Sequence, residues 1–333
     1  MTQKKVLIDS RWAGDTGIGR LCKEVIKHAP QEADIQLISN KMGLGNMFAP
    51  MMLTNEIRKS KPDIFYSPSF MPPFYCATPF IFTVHDLMHL FYYTKMHRIY
   101  YKTVIATLAK RAKKIVTVSN FSKQQLVELL GLPEELIRVI YNGVDTSFFQ
   151  NSEKYKFDRP YFLYVGNRRV NKNIPTMLEA FARAKIPKDM IFLLTGNPDP
   201  ELIVLIGKLR ITSRVRFLGF VKEADLPKLY KGAYATLFVS LMEGFGLPTL
   251  ESMASGTPVL ISNEGALPEV AGDAALSVDP FAVDAVTAGI ERLVDDSESY
   301  HAFVEKGYRR ARNFSWAKTG RETWETILIE TEK

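Results

Sequence analysis

The sequence predicts an α/β protein built as two doubly wound halves, and three observations carry that reading. Short apolar runs of strand length alternate with longer amphipathic stretches along the chain, the order that parallel sheets covered by helices require. The succession of strand, glycine loop and helix opens the chain at Val6-Leu7-Ile8 and recurs from Pro160 through Gly166. At 333 residues the chain exceeds one ordinary core and suits two domains of about 150 residues each.

Taken in order, Val6-Leu7-Ile8 is the first strand. It leads into Asp9-Ser10-Arg11-Trp12-Ala13-Gly14-Asp15-Thr16-Gly17-Ile18-Gly19-Arg20, ahead of an amphipathic helix that reaches about Ala29. A glycine loop between the first strand and first helix is where such a sheet binds phosphate. A dinucleotide fingerprint needs a third glycine at position 22, and Cys22 stands there, which argues against NAD. Residues 46–61 read as a helix, Asp63 to Tyr66 as a strand, and Ser67 to Pro79, rich in proline and aromatics, as an irregular loop. Pro79 to Val84 is a buried strand that delivers His85 and Asp86 to its C-terminal end, the end that lines the ligand crevice of an open parallel sheet. Ile115 to Val118 and Ile137 to Tyr141 are further strands, separated by a helix starting near Lys123 and capped by Ser119 to Ser122.

A polar, unpatterned segment follows, so the chain divides into an N-terminal domain over 1–150, a linker over 151–159 and a C-terminal domain over 160–315, with a closing helix over 316–333. In the C-terminal domain the loop Gly166-Asn167-Arg168-Arg169-Val170-Asn171-Lys172-Asn173 concentrates three cations, which suits a developing negative charge such as a departing diphosphate. Ile191 to Leu194 and Val215 to Phe217 are strands, each followed by a glycine. The most informative stretch is Phe238-Val239-Ser240-Leu241-Met242-Glu243-Gly244-Phe245-Gly246-Leu247-Pro248-Thr249-Leu250-Glu251. A buried strand ends there, Gly244 and Gly246 let backbone amides approach a ligand, and Pro248 opens a helix whose N-terminus favours an anion. A carboxylate beside a diphosphate is unfavourable unless it accepts hydrogen bonds from neutral hydroxyls, so Glu243 and Glu251 read as sugar-reading groups of a nucleotide-sugar site.

That stretch resembles the E-x7-E segment of the retaining family 4 glycosyltransferases, which have the GT-B fold. The resemblance extends over nearly the whole chain: Gly17-Ile18-Gly19-Arg20, Thr83-Val84-His85-Asp86, Asn142-Gly143-Val144-Asp145, Lys172-Asn173, Val215-Arg216-Phe217-Leu218-Gly219 and Phe314-Ser315-Trp316 each match a family segment. It implies two Rossmann-like domains facing a cleft, with the last helix crossing back to the first domain. It also implies catalytic roles for Glu243, His85, Lys172 and Arg168. Donor contacts are implied from Gly17, Gly19, Arg168, Lys172, Gly244, Phe245, Gly246, Leu247, Glu251 and Arg216, and acceptor-side positions at Asp86 and Arg20. Asn167 stands where the family has arginine, which leaves open whether Arg168 or Arg169 meets the phosphates.

The charge is uneven: residues 1–155 hold 20 Lys and Arg against 13 Asp and Glu, whereas residues 156–333 hold 23 of each. Within the first half, residues 92–114 contain seven Lys and Arg and no acidic residue, interleaved with tyrosines, a composition suited to an anionic membrane surface. Nucleic acid is the rival partner and is not expected. The first residues lack a secretion signal, no apolar stretch reaches membrane-spanning length, and the two cysteines, Cys22 and Cys76, fit a reducing compartment. The expected location is the cytoplasm, peripheral at the inner face of the membrane.

No Asp-x-Asp pair lies near a strand end, so neither metal nor other cofactor is expected. The resemblance implies transfer of a hexose, mannose from GDP-mannose in the first instance, to a polyprenyl-linked or glycan acceptor in cell-surface polysaccharide, lipopolysaccharide or glycolipid biosynthesis. UDP- or dTDP-sugar transfer and an epimerase on the same scaffold are the alternatives.

Overall fold

The computed structural model describes residues 3–14, 16–38, 46 and 48–331; Asp15 of the first loop, Met47 of the helix expected over 46–61, and residues 332–333 of the closing helix lie outside them. The chain forms two compact units, residues 1–143 with 315–333, and residues 144–314.

The first unit is a six-stranded parallel sheet of β1 (Lys4–Ile8), β2 (Ala33–Leu37), β3 (Ile64–Ser67), β4 (Phe80–Val84), β5 (Lys114–Thr117) and β6 (Ile137–Val139), in the order β2-β1-β3-β4-β5-β6. Strands β3 and β4 are buried along their length, as sheet centres covered on both faces must be. The helices are α1 (Gly17–Lys27), α2 (Ala49–Ser60), α3 (Lys95–Tyr100), α4 (Ala106–Ala109) and α5 (Asn120–Leu130). Between α3 and α4 the backbone makes a wider π turn over Tyr101–Ile105, so one helical run extends over residues 95–109. The last helix of the chain, over Trp316–Ile329, also belongs to this unit: its Trp324 indole Nε1–H donates to the Val25 carbonyl of α1 at 2.7 Å.

The second unit opens with a short helix, α6 (Thr146–Gln150). Its sheet contains β7 (Tyr161–Tyr164), β8 (Ile191–Leu194), β9 (Val215–Phe217), β10 (Ala235–Phe238), β11 (Val259–Ser262) and β12 (Leu276–Val278), all parallel, in the order β12-β11-β10-β7-β8-β9. Helices α7 (Ile174–Arg183), α8 (Pro200–Lys208), α9 (Leu226–Gly232), α10 (Leu247–Ala254), α11 (Leu267–Ala271), α12 (Val283–Asp295) and α13 (Ser297–Ala311) complete it, and the Trp316–Ile329 helix is α14. The core is aromatic, with Phe162, Phe181 and Phe192 in edge and tilted contact.

The structure differs locally from the sequence reading in four respects. The unpatterned segment after Asp145 is helical over Thr146–Gln150, because the Asp145 side chain caps it and Phe148 buries against Tyr230 at 5.8 Å between ring centroids. The units divide at Gly143 and Val144, ahead of the expected linker over 151–159. Helix α5 begins at Asn120 rather than near Lys123, since Ser119 alone is the cap, accepting from the Ser122 amide at 3.0 Å. Two strands, β2 and β12, are edge strands with too little apolar character to announce themselves.

Each sheet reverses its winding once, beside its first strand. In the first unit this point lies between β1 and β3, and in the second between β7 and β10. Ligands of doubly wound sheets bind outside the carboxyl ends of strands at such points. The segments to inspect are therefore residues 9–16 and 67–79 in one unit, and residues 165–173 and 239–246 in the other. Among the described residues no helix is long and apolar enough to cross a membrane.

Candidate functional site

In the second unit the two loops at the winding reversal are sewn together by asparagines. The Leu241 amide donates to the Asn171 carbonyl at 2.7 Å, and the Asn171 side-chain amide returns a bond to the Met242 carbonyl at 3.2 Å. Asn173 adopts the left-handed conformation (φ 56°), which asparagine tolerates far better than branched residues do. From there its side-chain amide reaches the Val239 and Pro280 carbonyls at 3.2 and 2.8 Å. This seam places the Lys172 Nζ 2.5 Å from Glu243 Oε1, with the two side chains only 13% and 7% exposed. The ammonium also lies 5.3 Å from the centroid of the Phe238 ring. Beside them the Tyr164 hydroxyl donates to the Asn167 carbonyl; burial foremost, then the Glu243 charge, holds it protonated well beyond the usual tyrosine range.

Behind Glu243 the backbone of Gly244, Phe245 and Gly246 is buried and turns into α10. Gly246 caps that helix at φ 94°, a left-handed conformation that requires glycine, and a Cβ there would also push the end of the Leu267 side chain aside. Leu247 begins the helix, whose first turn carries no acidic residue, leaving its positive end uncompensated. Phe245 is buried in edge contact with Phe314, which makes it a packing anchor for the loop. Glu251, on the second turn, is 4% exposed and accepts from the Tyr230 hydroxyl at 2.9 Å. The Ser240 and Thr249 hydroxyls are buried and have no partner among the described residues.

Arg168 does something the sequence did not suggest. Its guanidinium bonds Asp199 and the Thr195 and Asn197 carbonyls, the Thr195 bond at 2.5 Å, and lies over the Phe217 ring at 5.5 Å. It braces the loop after β8 against the loop after β7. Arg169 next to it is exposed. Arg216 is also exposed and turns its guanidinium back onto the Thr212 and Val215 carbonyls at 3.0 and 2.9 Å. The structure therefore brings together Lys172, Glu243, Gly244, Phe245, Gly246, Leu247 and Glu251, with Arg168 as their brace and Arg216 engaged with its own turn.

In the first unit Gly17, Gly19 and Arg20 form the first turn of α1 itself. Thr16 caps it by accepting from the Gly19 amide at 3.2 Å, and a Cβ on Gly19 would meet the Gly14 carbonyl oxygen at 2.4 Å. Across the reversal, Asp9 and Arg11 form a buried ion pair at 2.7 Å that sequence reasoning missed; only its position at the end of β1 hinted at it. His85 follows β4 and its Nε2 bonds the Pro68 carbonyl at 2.8 Å, which fixes the proton on Nε2. Asp86 accepts from the Met88 amide at 2.9 Å in a tight local turn. Among the described residues no group of three or more His, Cys, Asp or Glu side chains is placed to hold a metal.

Residues 145–310 match the family model for glycosyl transferases group 1, and residues 17–148 that for glycosyltransferase family 4. The O-antigen chain mannosyltransferase B of Escherichia coli is 31% identical over 284 residues, 80% of this chain and 74% of that protein. The O-antigen chain mannosyltransferase RfbU of Salmonella typhimurium is 31% identical over 233 residues, 67% of this chain and 64% of that protein. The solved structure of Anabaena HepE in complex with UDP and glucose aligns with TM-score 0.79 at 18% identity, over 98% of this chain and 100% of that one. That of WaaG, a glycosyltransferase involved in lipopolysaccharide biosynthesis, aligns with TM-score 0.76 at 15% identity, over 97% and 99%. These likenesses show the GT-B fold, two Rossmann-like domains.

Burial lowers the His85 pKa, with the Pro68 bond and the Asp86 charge opposing it. The unfolded imidazole protonates near pH 6.5, so His85 contributes stability that is complete above that pH and fades as pH falls toward the lower folded value. Urea unfolding of His85→Gln should therefore show a shallower loss of stability between about pH 7 and 5 than the native protein. Equal slopes in the two proteins would refute the assignment.

Proposed function

Because the chain belongs to glycosyltransferase family 4, we propose that it is a retaining α-glycosyltransferase that moves mannose from GDP-mannose to a lipid-linked or oligosaccharide acceptor during assembly of a cell-surface polysaccharide or glycolipid. Transfer of a glycosyl group is the family's chemistry; the choice of mannose is supported by the relatives that are O-antigen mannosyltransferases.

The carrying observation is the nearly buried Lys172–Glu243 pair set before the positive end of α10. A diphosphate leaving group gains negative charge as the glycosidic bond breaks, and Lys172 with the amides at Gly244 to Leu247 supplies the counter-charge in a dry setting. Lys172 in turn keeps Glu243 from repelling the diphosphate, and Glu243 is then available to accept from hydroxyls of the sugar. Glu251, fixed by Tyr230, accepts from the ribose. Arg169 is the arginine this loop presents to the phosphates, with Arg168 positioning it. The reaction needs no metal in this reading, since Lys172 and the helix end serve where a cation otherwise would.

Thermal-shift titration should rank GDP above UDP and dTDP. Lys172→Ala and Glu251→Ala should weaken GDP-mannose binding by roughly 10-fold or more, the loss expected of a hydrogen bond to a charged group. Unaltered affinity and turnover in both variants would overturn the assignment, and a preference for UDP would move the donor to the UDP-hexoses.

Attachment to the inner face of an anionic membrane belongs to the same proposal. Phe91, Met96 and Ile99 are 48%, 75% and 53% exposed, beside the exposed cations Lys95, Arg98 and Lys102. Apolar side chains that sit among cations suit the headgroup layer. Co-sedimentation with phosphatidylglycerol vesicles should drop several-fold when Lys110, Arg111, Lys113 and Lys114 are neutralised. Indifference to that change would remove the membrane from the account.

A further inference from the structure

The first unit has a cavity away from its winding reversal. Helix α2 ends at Ser60, the chain turns through Lys61 and Pro62 into β3, and residues 75–78 lead into β4. A cavity of about 310 Å3 opens between these two segments. It therefore lies at the amino ends of the paired parallel strands β3 and β4, whereas ligands of such sheets bind at the carboxyl ends. Strands of this length put roughly 15 Å between the two places.

The walls are fastened to each other. The Phe74 amide donates to the Pro50 carbonyl at 3.0 Å and the Tyr75 amide to the Thr54 hydroxyl at 3.1 Å, which holds the loop on α2. Lys61 closes the helix in the left-handed conformation (φ 47°), its amide bonded to the Ile57 carbonyl at 2.9 Å. A site fixed in this way needs little ordering when a ligand enters, and such ordering is a large part of what binding costs.

The lining is divided by chemistry. Ile57, 2% exposed, and the buried Pro62 make an apolar floor. Arg58 and Lys61 are exposed at the rim, and Tyr75, 60% exposed, is an aromatic wall. Neither cation has an ion-pair partner among the described residues: Lys59 takes Glu56 at 3.4 Å, and the Lys5 amide takes Asp63 at 2.8 Å. The negative end of α2 is worth about half a charge, so two cations overcompensate it. Burial pushes the Cys76 thiol up to about 11, and that thiol donates to the Thr78 carbonyl at 3.2 Å, so it adds no negative charge at neutral pH.

An apolar floor under an unmatched positive rim selects a ligand with an apolar body and an anionic head. No carboxylate lines the cavity, which excludes a cation. A phosphate monoester carries close to two negative charges at neutral pH, the number that Arg58 and Lys61 together match. The order of the layers also sets the orientation: the body enters first and the phosphate stays at the mouth. A lipid headgroup or a phosphorylated side chain would enter phosphate first and fits the reverse arrangement. We propose that this cavity binds a small soluble phosphate monoester of an aromatic alcohol, its ring against Tyr75 and Ile57 and its phosphate held by Arg58 and Lys61. The site is separate from the glycosyl-transfer site and does not depend on the transferase reading.

Cys76 lines the cavity and reports its occupancy, while Cys22 is 0% exposed and silent. The full-length protein is treated with iodoacetamide at fixed ionic strength, and alkylation of Cys76 is followed by peptide mass spectrometry. Phenyl phosphate at about 10 mM should slow alkylation by about 5-fold or more, the protection given by a Kd of about 2 mM. Phenol and inorganic phosphate at the same concentration should each slow it by less than about 2-fold, since each offers one half of the ligand. Arg58→Gln combined with Lys61→Gln should abolish the protection at an unchanged melting temperature. Equal protection by phenol would make the cavity purely apolar, and equal protection by inorganic phosphate would make it the seat of an adventitious ion only. No protection at all, or protection that survives in the double variant, would leave the two cations without a ligand. Each of these outcomes overturns the proposal, and the comparison of phenyl phosphate with phenol on the native protein decides it even if the double variant folds poorly.

Discussion

A lysine and a glutamate held 2.5 Å apart, 13% and 7% exposed, set the terms for the second unit. An ion pair in such surroundings is a poor way to stabilise a fold, because desolvation of both charges offsets most of their attraction, and an apolar pair of the same volume often does as well. Removing one member is different, since about 3–5 kcal/mol is lost when a buried charge is left alone. Lys172 and Glu243 are thus costly to keep and costlier to break singly. Everything nearby serves their placement: Asn171 and Asn173 sew the two loops together, Gly246 lets the backbone turn into α10, and Arg168 holds the neighbouring loop.

The same logic extends along the fold. Both sheets reverse their winding beside their first strand, and both gather polar side chains there. In the second unit those side chains are charged and sit before a helix N-terminus, which suits a diphosphate. In the first they include the buried Asp9–Arg11 ion pair after β1. One architectural rule is thus used twice, with different side chains at each reversal.

Much of this was legible in the sequence, for identifiable reasons. Central strands such as Phe80–Val84 and Ile191–Leu194 are continuous apolar runs, so they were readable, whereas edge strands Ala33–Leu37 and Leu276–Val278 bury little and were not. Glu243, Lys172 and the glycines between Glu243 and Glu251 stand out in the sequence because charge and glycine are conspicuous in an apolar setting. Asn171, Asn173 and Tyr230 were not, because their roles depend on side-chain bonds to segments tens of residues away. Arg168 shows the limit of such reading: a cation in that loop reads as a phosphate ligand, and its bonds to Asp199 and two carbonyls are visible only in three dimensions.

The claim that Lys172 and Glu243 act as one unit is open to direct measurement by a double-mutant cycle on kcat/KM for GDP-mannose, using Lys172→Met, Glu243→Gln and the pair. Groups that act together should show single losses of about 100-fold or more and a double loss well short of their product, a coupling above roughly 1.5 kcal/mol. Losses that add within about 0.5 kcal/mol would mean that the two residues act independently, contradicting the account.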